Sequence, residues 1–275
     1  MTTKTLEHVL RGTGRHIVLI GLCVVVIFPV FWAIVTSFKP ANEVFSLSLF
    51  ASHPSLENYR DVFAALPLGR MLINTFCMAV LVTLGVLIVS ICAAYAFMRW
   101  EFCGKNALFL LFLGTLLIPV QVTIIPNYLT LAQLGWLNTL PGLTIPQLAT
   151  GLGIFYLRQQ FNNFPKEVLD AGVIDGAGPL RMLWSVVLPN MRSVLAALAI
   201  ILFIQTWNEY FWPLLVTRGL SSTTIQVGLQ VFLQENSNAW GALMAASVLS
   251  LMPVLVLYVL AQRQIIAAFV RSGIQ

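Results

Sequence analysis

Six apolar stretches alternate along the chain with short polar segments, and each approaches the ~20 residues a helix needs to cross the hydrocarbon core of a bilayer. The first runs from about His16 to Phe38, the second from Met71 to Met98, and the third from Ala107 to about Asn127, where Pro119 and Pro126 interrupt it. The fourth runs from about Leu143 to Tyr156, the fifth from Val194 to Val216 and the sixth from Trp240 to Gln262. This pattern predicts an all-α integral membrane protein with six transmembrane helices. Spans three and four also carry Gln121, Thr123, Asn127, Gln147 and Thr150. Such groups are costly against lipid, so both spans are expected to face protein or a cavity.

Between the fourth and fifth stretches lies a polar island, from about Gln160 to Arg192. Pro165 ahead of Lys166 and Glu167 suits a helix start with acid in its first turn, while Gly176-Ala177-Gly178 ends that helix and Pro179 opens another. The island therefore reads as helix, turn, helix. Val168, Leu169, Val173 and Ile174, and later Leu183, Val186 and Val187, give it apolar faces that need a cover. A hairpin lying on the lipid headgroups is one such cover, and a soluble partner is another.

Basic residues set the orientation. With the N-terminus in the cytoplasm, that side holds Lys4, Arg11, Arg15, Arg99, Lys105, Arg158, Lys166, Arg181, Arg192, Arg263 and Arg271, leaving Lys39, Arg60, Arg70 and Arg218 outside. Eleven against four is a positive-inside bias that also puts the C-terminus in the cytoplasm. The first stretch is longer than the core of a signal peptide and ends in Thr36-Ser37-Phe38-Lys39, without a small-x-small cleavage pattern, so it is read as retained.

Composition agrees with the membrane reading: 59% of the 275 residues are hydrophobic and 9% charged, with a mean hydropathy of +0.88. The net charge of +5 sits on scattered loop residues, which argues against nucleic acid as a partner. Cys23, Cys77, Cys92 and Cys103 have no paired spacing and read as buried thiols, and His8, His16 and His53 are too dispersed for a metal site. No Gly-rich phosphate loop, nucleophile elbow or His-Glu-x-x-His run appears, so an enzyme is disfavoured and no cofactor is expected in this chain.

The island carries a more specific pattern. Asp170-Ala171-Gly172, three residues, Gly176, nine residues, Val186, one residue and Leu188-Pro189 resembles the EAA loop of the inner-membrane permease subunits of ABC importers. The chain differs from the family pattern at Asp170, where Glu is usual, at Gly172, where Ala is usual, and at Val186, where Ile is common. Glycine at 172 loosens the helix by about 1 kcal/mol relative to alanine. Further along, Thr36-Ser37-Phe38-Lys39-Pro40, Leu56-Glu57-Asn58-Tyr59, Asn74-Thr75, Ala93-Ala94-Tyr95-Ala96, Ile118-Pro119, Trp207-Asn208-Glu209-Tyr210-Phe211-Trp212-Pro213-Leu214 and Gln262-Arg263 are similar, in order, to the MalG-like and UgpE-like carbohydrate branch of that family.

The resemblance implies a type I importer permease fold, with residues 1–275 as a single transmembrane domain, a cytoplasmic coupling loop at about 160–192 and external loops at about 39–70 and 218–239. It implies a bacterial or archaeal cytoplasmic membrane, a second homologous permease, two ATPase subunits that hold ATP and Mg, and an extracytoplasmic solute-binding protein. Under it, Glu167, Asp170, Ala171, Gly172, Asp175, Gly176, Leu188 and Pro189 would meet the ATPase. Lys166 and Asp170, four apart, are equally accounted for by a local ion pair.

In the fifth stretch, an acid at membrane depth costs about 2.5 kcal/mol or more against lipid, so Glu209 is expected to face a cavity or a partner. Gln205, Asn208 and Glu209 share one helical face, with Trp207 well round from it, and these groups with Trp212 suit a sugar or polyol. Locking the helix to a neighbour is the competing role for Asn208 and Glu209. Gln230, Glu235 and Asn236 in the last external loop are candidates to touch a binding protein, although an ordinary solvated loop has the same composition. An ATP-independent secondary transporter or channel is the competing function; paired inverted repeats and several intramembrane charges would mark it, and neither is present.

Overall fold

The apolar stretches fold as helices because backbone groups without water must bond within their own segment. The computed structural model describes residues 3–46, 48–234 and 239–272, and no strand occurs among them. Its helices are α1 (Thr3–Ser37), α2 (Glu57–Ala65), α3 (Leu68–Arg99), α4 (Lys105–Thr115), α5 (Val120–Gln133), α6 (Leu140–Thr144), α7 (Gly151–Asn162) and α8 (Lys166–Ile174). There follow α9 (Pro179–Met182), α10 (Leu188–Asn190), α11 (Arg192–Trp207), α12 (Phe211–Val216), α13 (Ile225–Leu229), α14 (Val231–Gln234) and α15 (Trp240–Ser272). Three of the described helices are long and apolar enough to cross a membrane alone, in Gly14–Ser37, Leu68–Arg99 and Trp240–Leu260, and the number rises to six when each of three bent pairs is counted as one span.

The bends correct the sequence reading. The third stretch is α4 and α5, which meet at 91°. Pro119 stands at the N-cap of α5, whereas Pro126 lies inside that helix and does not end it. The fourth stretch bends by 47° between Leu140–Gln147 and Gly151–Asn162. The fifth is not continuous, because α11 stops at Trp207 and α12 begins at Phe211. The cysteines are free, but Cys23, Cys92 and Cys103 are exposed and Cys77 half-buried. Cys23 and Cys92 sit in spanning helices, which turn much of their surface outward to lipid, so apolar neighbours do not imply burial. Cys103 lies in the turn between α3 and α4.

By chain contacts the protein forms two units, Met1–Leu66 with Leu229–Met252, and Pro67–Gly228 with Pro253–Gln275. In the first, the apolar window of α1 buries nothing within the chain. Its end is fixed by a buried lysine: Lys39 is fully enclosed, donates to the Ser48 carbonyl at 2.7 Å, and stands 4.7 Å from the Trp32 ring centre. Asn58 Nδ2 donates to the Ser37 and Lys39 carbonyls at 2.9 and 2.8 Å, and the Ser37 and Tyr59 hydroxyls bond at 2.8 Å. Two of the quoted motifs, Thr36 to Pro40 and Leu56 to Tyr59, are thus halves of one knot. Nearby, the Ser52 N–H bonds Glu43 Oε2 at 2.9 Å and holds that carboxyl below its ordinary pKa.

In the second unit α3 is the central helix, packed against α7 and α11 through Met78, Val82, Val86, Leu157, Phe161, Leu198 and Leu202. Small residues let these helices approach, as in other membrane bundles. A Cβ on Gly153 would strike Ser90 and Val86, and one on Gly85 would strike Leu148. Gly153→Val is therefore expected to overpack the α3–α7 seam and destabilise the protein by roughly 2 kcal/mol or more, read as a lower melting temperature in detergent. Gly69→Ala is the control, because a Cβ there meets nothing within 4 Å.

Candidate functional site

The polar island folds as helix, turn and helix. α8 begins after Pro165 and ends in a Schellman turn, with the Ala177 N–H bonded to the Gly172 carbonyl (2.9 Å) and the Gly176 N–H to the Val173 carbonyl (3.0 Å). That turn needs a left-handed residue, and Gly176 has φ +73°. Pro179 then opens α9 at its first position. Leu183–Val187 form a π-turn in which the Leu188 N–H reaches the Leu183 carbonyl. The widened turn lies just ahead of Pro189, whose ring would otherwise press on the carbonyl four residues back. Tyr95 of α3 donates its hydroxyl to the Pro179 carbonyl at 2.9 Å, tying the second helix to the core.

The apolar faces divide. Leu169, Leu183, Val186, Val187 and Leu188 pack into the protein's own core, whereas Val168, Val173 and Ile174 stay exposed, Ile174 at 86%. Leu180 and Trp184, absent from the sequence reading, are also exposed, at 73% and 68%. Trp184 was the available signal, a large indole in a polar loop. Glu167, Asp170, Ala171, Asp175, Gly176 and Pro189 are exposed beside them, and Gly172 is half-buried. Gly172 gives Met182 room, since a Cβ there would meet the end of its side chain. Lys166 and Asp170 do not pair; the ion pair found among the described residues is Lys105 with Glu101, at 2.7 Å.

The second site is a cavity built from helix ends. About 600 Å³ of space is lined by Gln121, Thr123, Asn127, Gln147, Thr150 and Glu209, with Trp212 in its wall. A smaller space of about 330 Å³, lined by Gln205, Thr206 and Glu209, shares Leu116, Gln147 and Thr150 with it. Polar groups of spans three and four thus face a cavity, as their cost against lipid required. Each break presents a helix N-terminus here: Pro119 precedes α5, and Thr150 caps α7 by accepting the Leu152 N–H at 3.2 Å. Glu209 Oε1 accepts the N–H groups of Phe211 and Trp212, at 3.1 Å each, and so caps α12.

The expected single face of the fifth stretch is corrected by the break. Gln205 and Glu209 line the cavity. Asn208 instead donates to the Ile204 carbonyl (2.8 Å) and accepts from Gln226 (3.3 Å). Trp207 is buried and stacked on Phe203. Trp212 is held by its indole N–H, which donates to the Gly142 carbonyl at 3.2 Å. No Lys, Arg or His is among the residues that line either space.

The segment after α12 is anchored rather than loose. Asn74 Nδ2 donates to the Ser221 and Thr223 carbonyls (3.1 and 3.0 Å), and Thr75 Oγ1 accepts the Ile225 N–H at 2.9 Å. That is the work of the quoted Asn74-Thr75 pair. Gln230 is half-buried, while Glu235 and Asn236 lie outside the described residues.

A bundle of broken spanning helices around a polar cavity, with a helical hairpin bearing uncovered apolar side chains, defines a membrane permease. Residues 85–270 match the family described as binding-protein-dependent transport system inner membrane component, and the chain belongs to that family, the permease subunits of ABC importers. Among its relatives is the sn-glycerol-3-phosphate transport system permease protein UgpE of Yersinia pestis bv. Antiqua (strain Antiqua), 36% identical over 267 residues, covering 94% of this chain and 95% of the relative. The protein of the same name from Brucella abortus (strain 2308) is 32% identical over 268 residues, with the same coverage of both. A chain of a solved bacterial ABC transporter involved in the import of the acidic polysaccharide alginate shares the fold at a TM-score of 0.78, with 21% identity over 94% of this chain and 97% of that one. The expected type I permease fold holds, and an ATP-independent carrier or channel is set aside.

Proposed function

We propose that this chain forms half of the translocation pathway of an importer for a carbohydrate or glycerol-containing solute, and that its own part of the pathway grips hydroxyl groups. The observation that carries this reading is the cavity at the helix breaks, where amides, hydroxyls, a tryptophan and the single carboxylate of Glu209 meet. Ring faces cover C–H surfaces while amide and carboxylate groups bond hydroxyls. The relatives named for glycerol phosphate support a glycerol-bearing solute. If the solute carries a phosphate, its charge is met by the second permease, since this lining has no cation to offer.

The hairpin, with Val168, Val173, Ile174, Leu180 and Trp184 as its exposed apolar side chains and Glu167, Asp170, Asp175 and Gly176 exposed on it too, is the docking element for an ATPase subunit. ATP and Mg belong to two such ATPases; this chain is a transport subunit without catalytic residues. The hairpin and both termini face the cytoplasm of a bacterial or archaeal cell, and an extracytoplasmic binding protein delivers the solute on the other side, with Gln230 near its docking surface. The test is uptake into proteoliposomes holding the assembled transporter, its binding protein outside and ATP inside. Labelled sugars, glycosides of glycerol and sn-glycerol-3-phosphate are compared. Uptake of a hydroxyl-rich solute that needs ATP is expected; uptake of none of these, with amino acids or metal ions carried instead, would overturn the assignment.

A further inference from the structure

A second polar pocket, of about 570 Å³, lies apart from the cavity at the helix breaks, where α3 and α7 end and α4 and α8 begin. Its lining holds four bases, Arg99, Lys105, Arg158 and Lys166, against two acids, Glu101 and Asp170. Glu101 is already engaged by Lys105 at 2.7 Å. That leaves three bases facing one carboxylate. Arg158 is the most constrained of them: its guanidinium carbon stands 3.5 Å from the Phe109 ring centre and 5.6 Å from that of Phe97. Its Nε is buried and has no hydrogen-bond partner. Buried polar nitrogens are almost always bonded, so the unpartnered Nε of Arg158 is evidence for an absent acceptor. The first turn of α4, whose N-cap Gly104 supplies no side-chain cap, adds N–H groups and the positive end of a helix dipole.

From this geometry we infer that the pocket binds a phosphate-bearing anion, with the guanidinium groups of Arg158 and Arg99 as its principal donors. The place of the pocket, at the ends of apolar helices, favours a phospholipid headgroup. Apolar spanning helices end here, and Trp100 and Phe102, beside the pocket in sequence, are exposed as interfacial aromatics are. Basic pockets between spanning helices are where anionic headgroups settle. A free phosphate has the same chemistry and would reach the site from solution. Either anion would bridge the ends of α3 and α7 to Lys166 at the start of α8, and so steady the hairpin.

Native mass spectrometry of the full chain in its assembled transporter tests this, with phosphatidylglycerol or phosphatidylcholine added in a mild detergent. Wild type is expected to retain one phosphatidylglycerol with an affinity about ten-fold above that for phosphatidylcholine, and Arg158→Gln to lose that preference. Arg99→Gln, at the exposed rim, repeats the test without touching the Phe109 contact, in case Arg158→Gln does not fold. Inorganic phosphate is then added at millimolar concentration. Displacement of the lipid identifies a free phosphate as a ligand of the same site, and persistence identifies the headgroup; both support the anion site. Equal retention of the two lipids with no bound phosphate, or an unchanged preference in both arginine variants, would overturn it.

Discussion

Gly176→Trp is expected to leave the chain folded in the membrane and to reduce ATP-driven uptake by about 100-fold or more, because the substitution is tolerated by the turn and not by whatever docks on it. The turn itself loses little. Gly176 is exposed, a Cβ there meets nothing within 4 Å, and the strain is that of one residue at φ +73°. A single left-handed residue costs about 1–2 kcal/mol, which a Schellman turn and the Tyr95 bond to Pro179 can absorb. The indole then stands in the docking face beside Ile174. Gly176→Asn is the control, since asparagine tolerates the left-handed region and is small. Transport that survives tryptophan, with the ATPase still bound, would show that this hairpin is not the docking face.

Glu209→Ala is expected to lower both uptake and stability. The carboxylate caps α12 through two N–H groups, and loss of such a cap costs about 1–2 kcal/mol. It also removes the one acid lining the cavity. With the solute's hydroxyls bonded in part through this group, uptake is expected to fall about ten-fold or more. Glu209→Gln separates the two roles. Its amide oxygen still accepts the Phe211 and Trp212 N–H groups, so stability should stay within about 0.5 kcal/mol of wild type while uptake falls. Unchanged uptake and unchanged melting temperature in Glu209→Ala would mean the acid is idle.

Much of the fold was legible in the residue pattern because lipid imposes one rule on every spanning segment. The positions of the helices followed from apolar length, and the hairpin from Pro165, Gly176 and Pro179. The breaks were harder to see. Pro119 marked the first, but the break at Asn208 to Tyr210 carries no proline or glycine of its own. Its signal sits downstream: Pro213 cannot donate to the Glu209 carbonyl, so a helix continued through both would lose a bond and gain a clash. Reading Pro213 as an early helix residue places Glu209 at a helix start, and its capping role follows.

The contents of the cavity were legible by cost, residue by residue, because Gln121, Asn127, Gln147 and Glu209 had nowhere else to go. Which groups share a wall was not, since that depends on the breaks between α4 and α5, before α7, and between α11 and α12 meeting at one cavity. The knot around Lys39 and the pair Asn74-Thr75 show the same limit. Their order along the chain resembled a family, yet the knot is closed by Asn58 and Tyr59 bonding to Ser37 across 21 and 22 residues, and the loop anchor by a bond to Thr75 that spans 150.

Purification of the tagged full-length chain from native membranes in mild detergent tests the central claim most directly, with the co-purifying chains identified and ATP hydrolysis assayed. An importer permease is expected to bring down a second permease and an ATPase whose hydrolysis survives the purification, whereas a chain recovered alone, with no ATPase activity above background, would contradict the account.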